Sequence, residues 1–172
     1  MKKFLIVVDM QKDFIDGALG TPEAVSIVPA VTGRIEGFEG TIIATLDTHF
    51  ENYLDTAEGQ KLPVAHCIKG TDGWALDPHI VYAIEGKDHY IIEKNTFGSK
   101  ELPFLIEKLA EGDDISIELI GLCTDICVIS NALLLKAFFP ESRIIVDPVC
   151  CAGVTPALHD AAMAVLSSCQ CT

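Results

Sequence analysis

The chain has 172 residues, of which 49% are hydrophobic, and its 12 basic and 25 acidic residues give a formal net charge of -13. This length predicts one domain, residues 1–172, with enough apolar side chains for a core without disulfide bonds. The acidic excess argues against nucleic acids and anionic membrane surfaces as partners, and it favours a small neutral or weakly polar substrate.

The N-terminal stretch MKKFLIVVDM imitates a signal peptide. Asp9, however, interrupts its apolar run at residues 4–8, which is shorter than the hydrophobic region of a signal peptide. No stretch is apolar over the length needed to span a bilayer. We therefore expect a cytoplasmic protein whose seven cysteines are reduced thiols. The sequence predicts no role for four of them, Cys150, Cys151, Cys169 and Cys171.

Short apolar runs rich in Ile and Val recur along the chain, and they lack the polar alternation of half-exposed strands. Such runs, separated by helical patterns, are typical of parallel strands that are buried on both faces. The sequence therefore predicts an α/β fold with three layers and a doubly wound, mainly parallel sheet. The predicted strands cover residues 4–8, 41–46, 90–92, 115–120 and 143–146.

Helices are predicted between these strands at positions where capping residues stand. One covers residues 21–35 and another covers residues 100–110. A central helix lies between residues 124 and 140, and a last helix opens at residue 155. The residues that mark these ends are Ser99, Thr124, Pro140, Thr155 and Pro156.

The central helix is apolar nearly all round. A helix of this kind must be covered on more than one side. We expect a second subunit to supply part of this cover, so the sequence predicts a homo-oligomer, a dimer or a tetramer.

Reactive side chains stand where the predicted strands end. Asp9 follows the first strand, Asp47 and His49 follow the second, and Lys94 follows the third. Cys127 lies in the turn GLCTDIC after the fourth. Because ligands bind beyond the carboxyl ends of parallel strands, we expect these side chains to meet at one edge of the sheet.

Cys127 is a candidate nucleophile because it lies in the first turn of the central helix, where the helix dipole favours a thiolate. Asp9 can take its proton and Lys94 can hold the thiolate. Taken singly, each residue has an ordinary structural explanation: Cys127 as a small buried hydrophobic residue, Asp9 as a turn cap and Lys94 as a surface charge. Their convergence at strand ends favours catalysis.

Asp47 and His49 are two residues apart, so in extended backbone both side chains leave on the same face. His66, in the long aperiodic stretch between residues 46 and 90, can complete a set of two histidines and one carboxylate. These ligand types admit Zn²⁺, Fe²⁺ or Mn²⁺, of which we expect Zn²⁺.

The motifs VVDMQKDFIDGALG, EKNTFGS and GLCTDICV resemble those of the nicotinamidase and isochorismatase-like cysteine hydrolases over almost the whole chain. The resemblance implies Asp9, Lys94 and Cys127 as the catalytic triad. It implies a cis peptide bond between Leu122 and Cys123, and an oxyanion hole formed by the backbone N–H groups of Cys123 and Cys127. It also implies six parallel strands, the sixth near residues 167–171.

The nicotinamidase branch is the most similar, because its metal ligands match Asp47, His49 and His66. In that branch the ion binds the pyridine nitrogen of the substrate, and no organic cofactor is needed. Phe14 and Trp74 are candidates to flank the ring, although ordinary core packing explains both equally well. The stretch LPVA at residues 62–65 lacks the aromatic residue that many nicotinamidases have before the metal histidine.

The sequence thus predicts a metal-assisted cysteine amidohydrolase that converts nicotinamide and water to nicotinate and ammonia. A related hydrolase remains an alternative, with maleamate, ureidoacrylate, an N-carbamoyl compound or the enol ether isochorismate as substrate. A non-catalytic module that binds a small molecule on the same fold is a more distant alternative.

Overall fold

The computed structural model describes residues 1–172 and contains a sheet of five parallel strands in the order β3-β2-β1-β4-β5. The strand order runs outward in both directions from β1, as in a doubly wound sheet. The predicted α/β fold is therefore confirmed. The strands are β1 (Lys2–Val8), β2 (Thr41–Asp47), β3 (His89–Lys94), β4 (Ile115–Leu122) and β5 (Arg143–Ala152).

Six α-helices connect or flank these strands, and none of them is long and apolar enough to cross a membrane. A single π-helical turn, Thr124–Val128, leads directly into the fifth helix. The helices are α1 (Lys12–Ile15), α2 (Pro22–Glu36), α3 (Pro78–Ile84), α4 (Leu102–Ala110), α5 (Ile129–Phe138) and α6 (Pro156–Ser168).

The core consists of two apolar clusters on opposite faces of the sheet. On β1, Phe4 and Ile6 join the cluster that contains residues of α4, α5 and α6, whereas Leu5 and Val7 join the cluster that contains residues of α2 and α3. Alternate side chains of one strand therefore pack into different layers. This explains why the strand sequences are apolar without alternation.

The predicted sixth strand is wrong, because α6 occupies residues 156–168 and the chain turns after it. Gln170 has a left-handed φ of 62°, and the N–H of Cys171 donates to the carbonyl of Leu166. The carbonyl of Cys171 accepts a hydrogen bond from the N–H of Val146 in β5, at 3.0 Å. The terminal segment thus reaches the sheet edge without forming a strand.

The prediction that Thr124 caps the central helix is also wrong. The N–H of Val128 donates to the carbonyl of Cys123, so Thr124 lies inside the π-helical turn. Its hydroxyl lies 2.8 Å from Nδ1 of His159 in α6. Thr155 caps α6 as predicted, because it accepts a hydrogen bond from the N–H of residue 158. Ser99 accepts a hydrogen bond from the N–H of Leu102, but α4 begins at Leu102 and its N-cap is Glu101.

The aperiodic stretch between β2 and β3 contains α3 and a short 3₁₀ helix, Tyr53–Asp55. Outside these elements it is held by isolated contacts, such as the bridge between His49 and Ile68. A hydrogen bond from the N–H of Cys67 to Asp13 also fixes it, at 2.7 Å. This segment is therefore tied to the carboxyl edge of the sheet, where the predicted site residues lie.

Candidate active site and metal centre

Three strand ends bring Asp9, Lys94 and Cys127 into contact. Oδ2 of Asp9 lies 2.7 Å from Nζ of Lys94, and Nζ lies 3.5 Å from Sγ of Cys127. All three residues are buried. The predicted acid, cation and thiol therefore form one cluster with little access to bulk water.

Asp9 directly follows β1 in a left-handed backbone conformation, with a φ of 49°. Its Oδ1 accepts a hydrogen bond from the hydroxyl of Thr45, at 2.7 Å. Oδ2 lies beside the ammonium of Lys94 but accepts no hydrogen bond of ordinary geometry. Burial raises the pKa of Asp9 above its usual value, against the opposing effect of Lys94. Oδ2 is therefore a suitable acceptor for a proton from the thiol.

Lys94 is the cation at the centre of the cluster. Besides its contacts with Asp9 and Cys127, it donates a hydrogen bond to Oδ1 of Asp47 at 3.2 Å. Burial disfavours its charge, but the charges of Asp9, Cys127 and Asp47 together raise the pKa of Lys94 above its usual value. The side chain thus remains an ammonium.

Cys127 lies in the π-helical turn and not in the first turn of α5. Burial raises the pKa of its thiol well above the usual value, and Asp9 raises it further, while Lys94 lowers it. This corrects the expectation that the position at a helix end favours the thiolate. The thiol needs a base to take its proton, and Asp9 is beside it.

The turn that presents Cys127 is held tightly. At Gly121 the φ is +116°, and a Cβ atom would lie 2.2 Å from the carbonyl oxygen of Val8. The peptide bond between Leu122 and Cys123 is cis. The turn follows β4, which pairs directly with β1.

Asn131 is a buried polar residue that the sequence reasoning missed. Its side chain donates to the carbonyl of Cys127 at 2.8 Å and accepts from the N–H of Ser99 at 2.8 Å. It also donates to the carbonyl of Phe97. Asn131 thus ties the nucleophile's turn to the loop that follows β3 and Lys94. Asparagine in an apolar helix is the only sequence signal for this role.

A second cluster, next to the first, contains Asp47, His49, Glu58 and His66, whose ligand atoms all lie within 4.8 Å of one another. Nε2 of His49 lies 3.1 Å from Oδ2 of Asp47 and 3.7 Å from Oε1 of Glu58. Nε2 of His66 lies 3.8 Å from each of these oxygens. Bonds of about 2.0–2.1 Å to a tetrahedral Zn²⁺ would place ligand atoms roughly 3.3–3.4 Å apart.

The protonation of the cluster also suits a divalent cation. Nδ1 of His66 lies 2.8 Å from the carbonyl of Val64, which fixes a proton there and leaves Nε2 as a ligand. Burial opposes the charge of Asp47, but the adjacent imidazoles of His49 and His66 and the charge of Lys94 lower its pKa below the usual value. An ionised carboxylate and imidazole nitrogens thus face one point.

Glu58 was missed from the sequence, where only three ligands were predicted. It lies in an irregular loop, nine residues beyond His49, and nothing in its local pattern separates it from other acidic residues nearby. Its only sequence signal is a carboxylate in the same aperiodic stretch as the two histidines. Its position is set by the folding of residues 53–62 over the sheet edge.

A cavity of about 680 Å³ opens onto both clusters. Cys127, Cys123, Asp47 and His66 contribute to its walls, so the candidate nucleophile and two candidate metal ligands face one space. Most of the remaining lining is apolar or uncharged, and it comprises Phe14, Leu19, Thr21, Ala57, Leu62, Asn95, Thr96, Phe97, Ile126 and Val154, with Glu58 and Lys61 as further charged residues.

Phe14 lines this cavity, but Trp74 does not. Nε1 of Trp74 donates to the hydroxyl of Thr48 at 2.9 Å, and its ring packs against the cluster of α2 and α3. These contacts favour ordinary packing for Trp74, which is the alternative that the sequence left open. Phe97, which was not predicted, supplies a second aromatic wall.

Gln11 is another residue that the sequence reasoning missed. Its side-chain amide donates to the carbonyl of Asp47 at 2.9 Å and accepts from the N–H of the same residue at 2.7 Å. It also donates to the carbonyl of Trp74 at 2.7 Å. A residue two positions after Asp9 thus fixes the backbone of Asp47, a candidate metal ligand.

In a comparison with known protein families, residues 3–172 match the Isochorismatase domain. The isochorismatase family protein PncA of Bacillus subtilis strain 168 is 30% identical over 156 residues, which cover 85% of this chain and 84% of that protein.

Solved structures of amidases have the same fold. The pyrazinamidase of Pyrococcus horikoshii in complex with zinc superposes with a TM-score of 0.82 at 26% identity, and the match covers 99% of this chain and 97% of that one. The N-carbamoylsarcosine amidase of Thermoplasma acidophilum gives a TM-score of 0.77 at 32% identity, with 97% and 94% covered. Both similarities extend over the whole sheet and the edge that carries the site.

Proposed function

Because the chain belongs to the isochorismatase family, we propose that it is a metal-assisted amidohydrolase with Cys127 as nucleophile and nicotinamide as substrate. The observation that carries this proposal is the contact of Asp9, Lys94 and Cys127 at the wall of a cavity that also contains metal ligands. A thiol, a base and a cation in this arrangement suit attack on an amide carbon.

The first half of the reaction forms a thioester. Oδ2 of Asp9 takes the proton of Cys127 while Sγ forms a bond to the amide carbon. The backbone N–H groups of Cys123 and Cys127 stabilise the negative oxygen. The C–N bond then breaks, and Asp9 returns its proton to the leaving nitrogen, which departs as ammonia.

The second half releases the acid. Asp9, now ionised, takes a proton from a water molecule, whose oxygen attacks the thioester carbon. The C–S bond breaks and the proton on Asp9 returns to the sulfur. Lys94 stays charged throughout and stabilises the ionised state of Asp9 or Cys127, whichever has lost the proton.

Asp47, His49, Glu58 and His66 would hold the metal, since their ligand atoms face one point. A bound Zn²⁺ would supply a Lewis acid for a ring nitrogen of the substrate. The zinc complex of the Pyrococcus horikoshii pyrazinamidase supports this choice of ion. Phe14 lies beside His66, with ring centroids 5.4 Å apart, and Phe97 lines the same cavity, so both can contact an aromatic ring.

A small N-carbamoyl compound is a second candidate substrate. Two observations favour it: the 32% identity to the N-carbamoylsarcosine amidase of Thermoplasma acidophilum, and the lack of an aromatic side chain at residues 62–65. Hydrolysis of such a compound uses the same attack by Cys127 and also releases ammonia.

Ammonia release from nicotinamide, pyrazinamide, maleamate and N-carbamoylsarcosine tests these alternatives. We expect the zinc-loaded protein to hydrolyse nicotinamide, and Cys127→Ala to be inactive. Cys169→Ala is a matched control, because that thiol lies at the end of α6 and should leave the rate unchanged. Activity of Cys127→Ala would refute the mechanism, and turnover of nicotinamide after complete metal removal would refute the role of the metal ligands.

A further inference from the structure

Asp47 lies between the catalytic cluster and the metal ligands, and its two oxygens face different groups. Oδ2 lies 3.1 Å from Nε2 of His49 and 3.8 Å from Nε2 of His66. Oδ1 accepts the hydrogen bond from Nζ of Lys94 at 3.2 Å. One carboxylate is therefore shared between the two clusters.

These groups are shielded from solvent. The side chain of Lys94 is 1% exposed and that of Asp47 is 3% exposed. Charges this close, in a poorly solvated site, interact much more strongly than charges at the surface. The ammonium of Lys94 divides its interactions among Asp9, Asp47 and Cys127, so a change at Asp47 affects the other two.

We propose that Asp47 is a positioning residue for Lys94 as well as a metal ligand, so that Lys94 and a divalent cation compete for its negative charge. This inference rests on the metal site proposed above. A cation bound between His49 and His66 attracts the carboxylate of Asp47 through Oδ2, and it thereby weakens the interaction of Oδ1 with Lys94. Lys94 then interacts more strongly with Asp9 and with the thiolate of Cys127.

Such coupling is reciprocal. If the cation weakens the contact between Asp47 and Lys94, then the charge of Lys94 must weaken the binding of the cation. The direction in which metal affinity changes when Lys94 is removed distinguishes the proposal from a purely structural role of Lys94. Loss of a structural side chain loosens the site and weakens metal binding, whereas loss of a competing cation strengthens it.

The first test measures zinc affinity by competition with a chromophoric chelator. We expect Lys94→Met to bind zinc more tightly than the wild-type protein, by on the order of tenfold. Lys108→Met is a matched control, because Lys108 is an exposed residue on α4, and its affinity should equal that of the wild type. Unchanged or weaker binding by a folded Lys94→Met variant overturns the inference.

Absence of zinc binding by the wild-type protein overturns the metal site itself, and the inference with it. A wild-type protein that binds zinc while Lys94→Met fails to bind more tightly overturns only the coupling. The two failures are thus distinguishable.

The second test needs no substitution of Lys94. The rate of iodoacetamide modification of Cys127, followed by peptide mass spectrometry, is compared in zinc-loaded and zinc-free wild-type protein. We expect zinc to accelerate the modification several-fold. Zinc-free Asp47→Asn, in which the same negative charge is removed, should react at a rate close to that of the zinc-loaded wild type. Equal rates in zinc-loaded and zinc-free wild-type protein, or a slower rate with zinc, overturn the proposal.

Discussion

Replacement of Gln11 by methionine should destabilise the protein strongly, although the two side chains have similar shapes. Gln11 is fully buried, and its amide satisfies three backbone groups: the N–H and the carbonyl of Asp47 and the carbonyl of Trp74. The Gln11→Met variant would leave these groups without partners, and each unpaired buried group costs about 1–3 kcal/mol. The gain from burying a thioether offsets part of this cost, so we expect a net loss of about 3–5 kcal/mol.

Urea denaturation of zinc-free protein, followed by circular dichroism, measures this loss directly. It is large against the total stability of about 5–15 kcal/mol that is common for proteins. Gln60→Met is the matched control, because Gln60 is exposed and its replacement should change the free energy of unfolding by less than about 0.5 kcal/mol. A loss below about 1 kcal/mol in Gln11→Met would refute the reasoning, because it would mean that water or rearranged backbone replaces all three hydrogen bonds.

Three further predictions concern the turn, the thiol and the assembly. Gly121→Ala should lower the free energy of unfolding by about 3 kcal/mol or more, because its Cβ would lie 2.2 Å from the carbonyl oxygen of Val8 at a φ of +116°. Gly86→Ala, at a φ of +77° with no atom within 4 Å, should cost only about 1–2 kcal/mol in urea denaturation, and equal losses would contradict this account. In zinc-free protein, modification of Cys127 by iodoacetamide should reach half its maximal rate above about pH 8.5, because burial and Asp9 raise the pKa of the thiol. If the rate reached half its maximum at a pH below the pKa of free cysteine, the resting Cys127 would not be a neutral thiol. Sedimentation at micromolar concentration should show a species larger than the 18.6 kDa chain, and a stable monomer would refute the predicted homo-oligomer.

The sequence was sufficient to predict the sheet and the residues at its carboxyl edge. Buried parallel strands appear in the sequence as apolar runs, which can be recognised without knowing which strands pair. The reactive residues follow these runs. Asp9, Lys94 and Cys127 were therefore found from the strand ends alone. The doubly wound order then brings these residues into contact, even though β3 and the turn after β4 are not adjacent in the sheet.

The contributions of irregular segments could not be predicted in this way. Glu58 reaches the metal ligands through a loop without periodicity, and the side chain of Trp74 turns toward Thr48 because of hydrogen bonds within that loop. Gln11 and Asn131 are similar cases, since their partners are backbone groups on distant segments. A hydrogen bond to a backbone group leaves no trace in the identity of the residue that supplies that group.

The prediction of where the central helix begins was wrong for a related reason. Thr124 has the side chain of a good helix cap, but its hydroxyl pairs with His159, which lies 35 positions further along the chain. The prediction of a terminal strand was wrong because the pattern of residues 167–171 is too short to distinguish a strand from the end of a helix. At Thr124, local propensity was overruled by a contact that only the folded chain creates.

The charges at the sheet edge give a physical reason for the proposed catalytic and metal sites to lie side by side. Asp9, Asp47 and Glu58 bring three carboxylates to one edge, and Lys94 is the cation that contacts two of them. A buried carboxylate without a compensating charge is costly. In the proposed mechanism, proton sharing between Asp9 and Cys127 reduces the cost in one cluster, and a bound divalent cation would reduce it in the other. Because Asp47 belongs to both clusters, the charge that would hold the metal would also set the field in which the thiol of Cys127 reacts.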